Sequence, residues 1–161
     1  MKVHMLDPTV SPSELPRAEK RLLERAREIA SRALNPVSRF HVGAAVQAAN
    51  GDCYTGTFFE SSSFPLGVCA EAAALAAAVT AGVRDFDMIA VVGGDPQSTG
   101  PGRPVTPCGG CRQRIFDVTG GPQRNVTVLC ADLTLSQIYR MDICTLLPLP
   151  FSAADLPISP A

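Results

Sequence analysis

The sequence predicts an α/β protein that folds as a three-layer α/β/α sandwich around a central mixed sheet of about five strands. Apolar runs of strand length alternate along the chain with longer stretches of helical spacing. Hydrophobic residues make up 46% of the 161 residues. No internal repeat or linker breaks the order α-β-β-α-β-α-β-α. These observations predict one domain over residues 1–161, with helices on both faces of the sheet.

The first helix is predicted to follow a capping residue, Ser13, with Pro16 in its first turn. One stripe of this helix has the spacing of a buried face, and it comprises Ala18, Leu22, Ala26, Ile29 and Ala33. The opposite face mixes charges of both signs and is predicted to face solvent; it carries Glu19, Lys20, Arg21, Glu24, Arg25, Arg27 and Glu28. The helix is expected to end at Asn35-Pro36.

The segment "RFHVGAAVQAANGDCYTGTFF" predicts two strands around a turn at Asn50-Gly51. The second helix is "GVCAEAAALAAAVTAG", the next strand is "DMIAVVGG", and a Gly/Pro-rich loop leads into a third helix, "CGGCRQRIFDV". Another strand, "NVTVLCA", precedes a last helix predicted in "TLSQIYRMDICTLL". Residues 1–12 are expected to form a loose N-terminus and residues 148–161 a C-terminal tail.

Charge and composition exclude several kinds of partner. The net charge is −1, so no positive excess points to nucleic acid or to an anionic membrane. No apolar run is long enough to span a bilayer, and "MKVHMLDPTVSPSE" lacks the apolar block of a secretory signal. The sequence therefore predicts a cytoplasmic protein that binds a small molecule and copies of itself. Its six cysteines should stay reduced and serve as ligands or catalytic groups.

Three cysteines are placed as metal ligands. Cys108 and Cys111 form a C-x-x-C at the predicted start of the third helix, and Cys69 stands at the start of the second. Helix N-termini lower thiol pKa values, and zinc binds thiolates. No convincing fourth ligand is visible, since Cys53, Cys130 and Cys144 are predicted to be small buried hydrophobes. Three protein ligands and one water are typical of a catalytic zinc site with one Zn²⁺ per chain.

Glu71 follows Cys69 by two residues, on the first turn of the second helix. An acidic residue is also common at a helix N-terminus for purely structural reasons. Beside a zinc site, however, a carboxylate that does not bind the metal can take a proton from water and pass it on. Glu71 is therefore the predicted catalytic residue.

These motifs resemble the zinc-dependent cytidine deaminases, whose pattern appears here as "CAE" at 69–71 and "PCGGC" at 107–111. A cysteine at position 69 is similar to the small homotetrameric branch, and "RFHVGAAV", "CRQ" and "LLPLPFSAADL" extend the likeness over roughly residues 18–156. The resemblance implies hydrolytic deamination of cytidine and 2'-deoxycytidine. It implies that Cys69, Cys108 and Cys111 ligate zinc and that Glu71 shuttles protons.

The same resemblance suggests substrate contacts. The backbone N–H of Ala70 would hold the pyrimidine, Phe40 would line the base pocket, and Glu60 would bind the sugar. Phe151 would reach into the pocket of a neighbouring subunit of a homotetramer. Phe58 would also face the sugar.

Two positions depart from the family pattern. The family commonly reads N-V-E-N-A-S-Y-P where this chain reads "FFESSSFP", so Phe58 and Ser61 replace two amides. A phenyl ring cannot make the hydrogen bonds of an amide, so cytidine is predicted to be a poorer substrate here than for relatives with Asn. Ala72 stands where three-cysteine relatives commonly carry Arg, which leaves Arg112 and the helix N-termini to offset the thiolate charge.

Other functions stay open at this point. The "FFESSS" segment keeps a deaminase of a modified or antibiotic cytosine nucleoside, similar to blasticidin S deaminases, as the alternative. A thiol redox protein would use Cys108 and Cys111 without needing Cys69 or Glu71, and it would bind no metal. A zinc-stabilised structural module would require a fourth ligand.

Overall fold

The computed structural model describes residues 8–157. A six-stranded mixed sheet has the order β1-β6-β5-β4-β2-β3. β4 and β5 are parallel, and all the other neighbouring strands are antiparallel. The strands are β1 (Thr9–Val10), β2 (His41–Ala48), β3 (Cys53–Thr57), β4 (Phe86–Gly94), β5 (Thr127–Asp132) and β6 (Ile138–Asp142). The helices are α1 (Arg17–Ala30), α2 (Ala70–Thr80), α3 (Gly109–Val118) and the short α4 (Ile143–Leu146).

The helices cover both faces of the sheet, which confirms the predicted three-layer sandwich. Alternate residues of the central strands enter two cores, because successive side chains of a strand point to opposite faces. On β4, Ile89 and Val91 belong to the core that α2 and α3 cover. Ala90 and Val92 of the same strand belong to the core beneath α1.

Two glycines allow the helices to approach the sheet closely. A Cβ on Gly43 of β2 would lie 2.2 Å from the carbonyl oxygen of Ala26 in α1. A Cβ on Gly56 of β3 would lie 2.3 Å from the backbone nitrogen of Ala74 in α2. Any side chain at either position would therefore displace a helix backbone.

The C-terminal third corrects the sequence prediction. "TLSQIYRMDICTLL" was expected to be one helix, but its middle forms β6 and only Ile143–Leu146 is helical. Strand pairing with β5 on one side and β1 on the other satisfies the backbone of β6. The hydrogen bonds of this pairing stabilise a strand although the spacing of apolar residues in the segment is typical of a helix. It also raises the strand count to six from the expected five.

The chain ends differ partly from expectation. Thr9–Val10, within the predicted loose N-terminus, form β1 against β6. Residues 1–7 lie outside the described residues, as do residues 158–161 of the predicted tail. The described part of that tail contains a short 3₁₀ turn, Ala153–Asp155, which Ser152 and Asp155 cap reciprocally. α1 begins at Arg17 without the predicted Ser13 cap and ends at Ala30.

Glu19 does not lie on a solvent face as predicted. Its residue is only 5% exposed, and its carboxylate accepts hydrogen bonds from Arg140 of β6, at 3.1 Å from Nε and 3.0 Å from Nη2. The fork of the guanidinium matches the carboxylate geometry. Because β6 was predicted to be helical, this partner could not be identified from the sequence. Among the helices of residues 8–157, none is long and apolar enough to cross a membrane.

We expect Arg140→Ala to lower the free energy of unfolding by about 1–3 kcal/mol, because Glu19 would remain buried without its hydrogen-bond donor. The exposed pair Arg25–Glu28 on the same helix is a matched control. Arg25→Ala should change stability by less than about 0.5 kcal/mol. Thermal melting of both variants measures this, and equal melting temperatures would contradict the importance given to the Glu19–Arg140 pair.

Candidate active site

The predicted metal ligands meet where two helices begin. Cys69 precedes the first residue of α2 and Cys108 the first residue of α3, and both have extended backbone. Cys111 lies in the first turn of α3. The three sulfur atoms lie within 4.8 Å of one another. Within residues 8–157 no other group of three His, Cys, Asp or Glu side chains is arranged in this way.

The three thiols differ in burial and acidity. Cys111 is fully buried, Cys69 is half-buried and Cys108 is exposed. Burial, reinforced by the Glu71 carboxylate, raises the pKa of Cys111 well above its ordinary value. Burial also raises the pKa of Cys69. Burial acts on Cys108 too, but hydrogen bonds from the backbone N–H and thiol of Cys111 bring the pKa of Cys108 below its ordinary value.

This donor set fits a zinc ion. Thiolates are ligands that zinc favours, and binding a cation displaces their protons. Three sulfur atoms within 4.8 Å of one another, at the N-termini of two helices, form such a set. The residues that could hold zinc are therefore Cys69, Cys108 and Cys111.

Glu71 lies beside the cluster and is 5% exposed. Burial raises the pKa of its carboxyl group, while a hydrogen bond from Cys111 and the charge of Arg114 act in the opposite direction. A buried carboxyl with a raised pKa exchanges protons more readily near neutral pH than an exposed one does.

Arg114 was not singled out from the sequence, where Arg112 was expected to offset the thiolate charge. The Arg112 guanidinium donates to the carbonyl oxygens of Pro107, at 2.9 Å, and Leu146, at 3.1 Å. It thereby ties the start of α3 to the end of α4. Arg114 extends back along α3, and its Nη1 would lie 3.7 Å from a Cβ on Gly110. Arg114 is thus a cation near the first turn of α3, and its charge acts to lower the pKa of Glu71.

Of the predicted substrate residues, Ala70 lies closest to the cysteines, because it opens α2 and is fully buried. Phe40 directly precedes β2, and its side chain is 39% exposed. Phe58 directly follows β3, is half-buried and packs against the core under α2 and α3. Its ring therefore has apolar contacts of its own.

Glu60 is already hydrogen bonded within the chain. Its carboxylate accepts from the backbone N–H of Val37 at 2.8 Å and of Ser38 at 3.2 Å. Hydrogen bonds from Ser38 and Val37 lower the pKa of Glu60. The carboxylate is thus ionised and fixes the loop that leads to Phe40.

Phe151 lies in the C-terminal segment next to α3. The side-chain amide of Gln113 in α3 donates to the carbonyl oxygen of Phe151 at 2.8 Å, which fixes the backbone. The Phe151 residue nevertheless remains 61% exposed. The rest of the described chain therefore buries only a small part of this residue.

A cleft of about 540 Å³ extends from Phe40 along the loop that precedes Cys108, as far as Thr106. Asp132, which lines it at the end of β5, is 2% exposed. Its carboxylate accepts from the backbone N–H of Gly102 at 3.0 Å and of Ser136 at 3.2 Å, and from the Thr134 hydroxyl. Asp132 thus fastens the Gly/Pro-rich loop to the sheet. No pattern in the sequence indicated this role.

Two single cysteines correct the sequence prediction. Cys130 is buried in the core as expected, but Cys53 and Cys144 are exposed. Cys53 opens the edge strand β3, and Cys144 lies on the outer side of α4.

The fold and the site together define the class of zinc-dependent α/β deaminases. Residues 16–129 match the family model described as the cytidine and deoxycytidylate deaminase zinc-binding region. This chain belongs to that family.

Comparisons with individual proteins support the same family. A cytidine deaminase of Sporosarcina psychrophila is 36% identical over 137 residues, which cover 85% of this chain and 93% of the relative. The crystal structure of cytidine deaminase from Burkholderia pseudomallei is 33% identical, with a TM-score of 0.70, and the match covers 81% of this chain and 97% of that one. A blasticidin-S deaminase of Bacillus cereus is 39% identical over 83 residues, 50% of this chain and 59% of the relative.

We expect the purified protein to contain about one zinc ion per chain and the Cys108→Ser variant to lose most of it, because two thiolates bind zinc less firmly than three. Cys144→Ser is the matched control, since Cys144 is exposed and stands outside the cluster. Metal analysis after dialysis measures both. A Cys108–Cys111 disulfide in metal-free wild-type protein would contradict the assignment.

Proposed function

We propose that this protein catalyses the zinc-dependent hydrolytic deamination of cytidine and 2'-deoxycytidine to uridine and 2'-deoxyuridine, with release of ammonia. The observation that carries the proposal is a buried carboxylate, Glu71, beside three sulfur atoms that lie within 4.8 Å of one another. Family membership and cytidine deaminases at 36% and 33% identity support it.

Each residue of the site has a defined part in this proposal. Cys69, Cys108 and Cys111 hold the zinc, which when bound acts as a Lewis acid that makes water nucleophilic near neutral pH. Glu71 would accept a proton from the water and deliver it to N3 of the pyrimidine as the oxygen adds to C4. It would then take the second proton from that oxygen and deliver it to the amine, so that the C4–N bond breaks and ammonia leaves. The backbone N–H of Ala70 opens α2 and has no acceptor within the helix, so it is the proposed donor to the base.

Glu71→Gln should leave the zinc content and the melting temperature unchanged and should reduce kcat on cytidine by at least about 10²–10⁴-fold, because an amide cannot relay protons. Glu28→Gln, on the exposed side of α1, is the control and should keep full activity. Ammonia release and metal analysis on the same preparations separate catalysis from zinc binding. A Glu71→Gln variant with most of the wild-type activity would rule out the proton-shuttle role.

We further propose that the chain acts in the cytoplasm as a single-domain subunit of a homotetramer, without nucleic-acid partners. Several large hydrophobic residues are exposed on the single chain: Leu34, Val37, Phe59, Phe64, Leu66, Leu149 and Phe151. Ala76 and Ala77 of α2 are also exposed, and small side chains permit close helix–helix approach. Exposed large hydrophobic side chains that cluster on a surface are typical of protein–protein interfaces.

Subunit mixing tests whether Phe151 serves a neighbour's site. Phe151→Ala and Glu71→Gln should each be impaired alone. When the two variants are mixed and reassembled, some sites combine an intact Glu71 with an intact Phe151 from another chain, so part of the activity should return. Light scattering should show a four-chain mass. A fully active monomer, or a mixture with no recovery, would reject the shared site.

A second candidate substrate is an antibiotic or otherwise modified cytosine nucleoside. The specific observation is Phe58, which has no polar side-chain atom at a position where the family commonly carries an amide. The partial match to a blasticidin-S deaminase also favours this substrate class. Comparing kcat/KM for cytidine and blasticidin S decides between the two substrates.

A further inference from the structure

The C-terminal segment, residues 147–157, is attached to α3 by two consecutive side chains of that helix. Arg112 Nη1 donates to the carbonyl oxygen of Leu146 at 3.1 Å, immediately before the segment. Gln113 Nε2 donates to the carbonyl oxygen of Phe151 at 2.8 Å, near the middle of the segment. The short stretch of backbone between these two contacts is therefore held on α3 at both of its ends.

The amide of Gln113 is oriented from within α3. Its Nε2 also donates to Oδ1 of Asp117 at 2.9 Å, one turn further along the helix. An amide nitrogen carries two N–H groups, so Asp117 and Phe151 together take up its donor capacity. Asp117 therefore directs the second N–H of this amide toward the C-terminal segment.

The chain is also folded locally just after Phe151. The backbone N–H of Ser152 donates to the Asp155 carboxylate at 2.7 Å. The Ser152 hydroxyl accepts from the backbone N–H of Ala154 at 3.3 Å. These bonds form the reciprocal cap of the 3₁₀ turn, so Gln113 and this turn together fix the backbone at and after Phe151.

Although its backbone is fixed, the segment exposes apolar side chains to solvent. Leu149 is 99% exposed and Phe151 is 61% exposed. Neither belongs to the two cores formed within residues 8–157. Leu149 also has a φ of 55°, in the left-handed region that residues other than glycine rarely adopt. Apolar side chains exposed on a held backbone, with strain at one of them, indicate contact with another molecule.

We propose that Gln113 is a positioning residue that acts on a neighbouring subunit: it fixes the backbone of Phe151 so that the ring enters the neighbour's active site. This inference rests on the homotetramer and the shared site of the proposed function. Cys111 lies in the first turn of the same helix. One helix thus serves two active sites, because it carries metal ligands of its own site and fixes a phenyl ring for the next.

Gln113→Ala removes both donors and leaves a good helix former in α3. Its zinc content should equal that of wild-type protein. Its kcat/KM for cytidine should fall by about 2- to 10-fold, because the segment is no longer held in place by this hydrogen bond. Gln113→Lys keeps a donor and should recover part of the loss. Gln137→Ala, at an exposed position just before β6, is the matched control and should change neither value.

Subunit mixing decides on which chain Gln113 acts, since Gln113 follows Cys111 by two residues and could instead affect its own site. Gln113→Ala chains are assembled with an excess of Glu71→Gln chains, whose Gln113 and Phe151 are intact. If Gln113 acts on the neighbour, the activity per intact Glu71 should return close to the wild-type value. Activity that stays at the level of Gln113→Ala alone would place the effect within one subunit and would overturn the proposal.

Hydrogen exchange separates this inference from the proposed function. Mass spectrometry of peptides from residues 147–157 requires no turnover, and their backbone N–H groups should exchange faster in Gln113→Ala than in wild-type protein. Unchanged exchange, or a loss of zinc from Gln113→Ala, would overturn the inference and leave the proposed deamination intact.

Wild-type protein that deaminates no cytosine nucleoside would refute the proposed function, and the exchange measurement would then still decide whether Gln113 holds the segment. A fully active wild-type monomer would refute both the shared site and the role of Gln113.

Discussion

The close contact between α2 and β3 at Gly56 positions the active site. The missing Cβ of Gly56 would lie 2.5 Å from the carbonyl oxygen of Ala70 and 2.3 Å from the nitrogen of Ala74. The first turn of α2 can therefore pack directly against the sheet. The buried side chains of this helix are mostly alanines, which also allow a short distance between helix and sheet. Because Cys69 and Glu71 flank Ala70, the same contact sets the distance of both groups from the strands. A bulkier helix or a side chain at position 56 would move the thiol and the carboxylate together.

The other half of the site is held by polar contacts instead of close packing. Arg112 ties the start of α3 to the carbonyl oxygen of Leu146, and Asp132 holds the preceding loop through the N–H of Gly102. These hydrogen bonds fix the start of α3, where Cys108 and Cys111 lie, to α4 on one side, and fix the loop before it to the end of β5 on the other. The position of Cys69 and Glu71 therefore depends on the shape of the contact between α2 and β3. The position of Cys108 and Cys111 depends on the geometry of hydrogen bonds.

Local patterns in the sequence predicted much of the fold and of the site. The hairpin around Asn50-Gly51, the two helix starts and the spacing of Cys69, Glu71, Cys108 and Cys111 are short-range features, and the structure brings the three cysteines together. Features that depend on distant partners were missed. Glu19 is buried only because Arg140 reaches it from β6, and β6 itself exists because β5 and β1 pair with it.

The two-residue strand β1 has a consequence for solubility. It covers part of the β6 edge, and Pro8 and Pro12 stand just outside Thr9–Val10. Proline lacks the N–H that a further strand would need, and edge strands this short offer little template for pairing with another chain. Within residues 8–157 the sheet therefore ends on this side in a segment that discourages edge-to-edge aggregation.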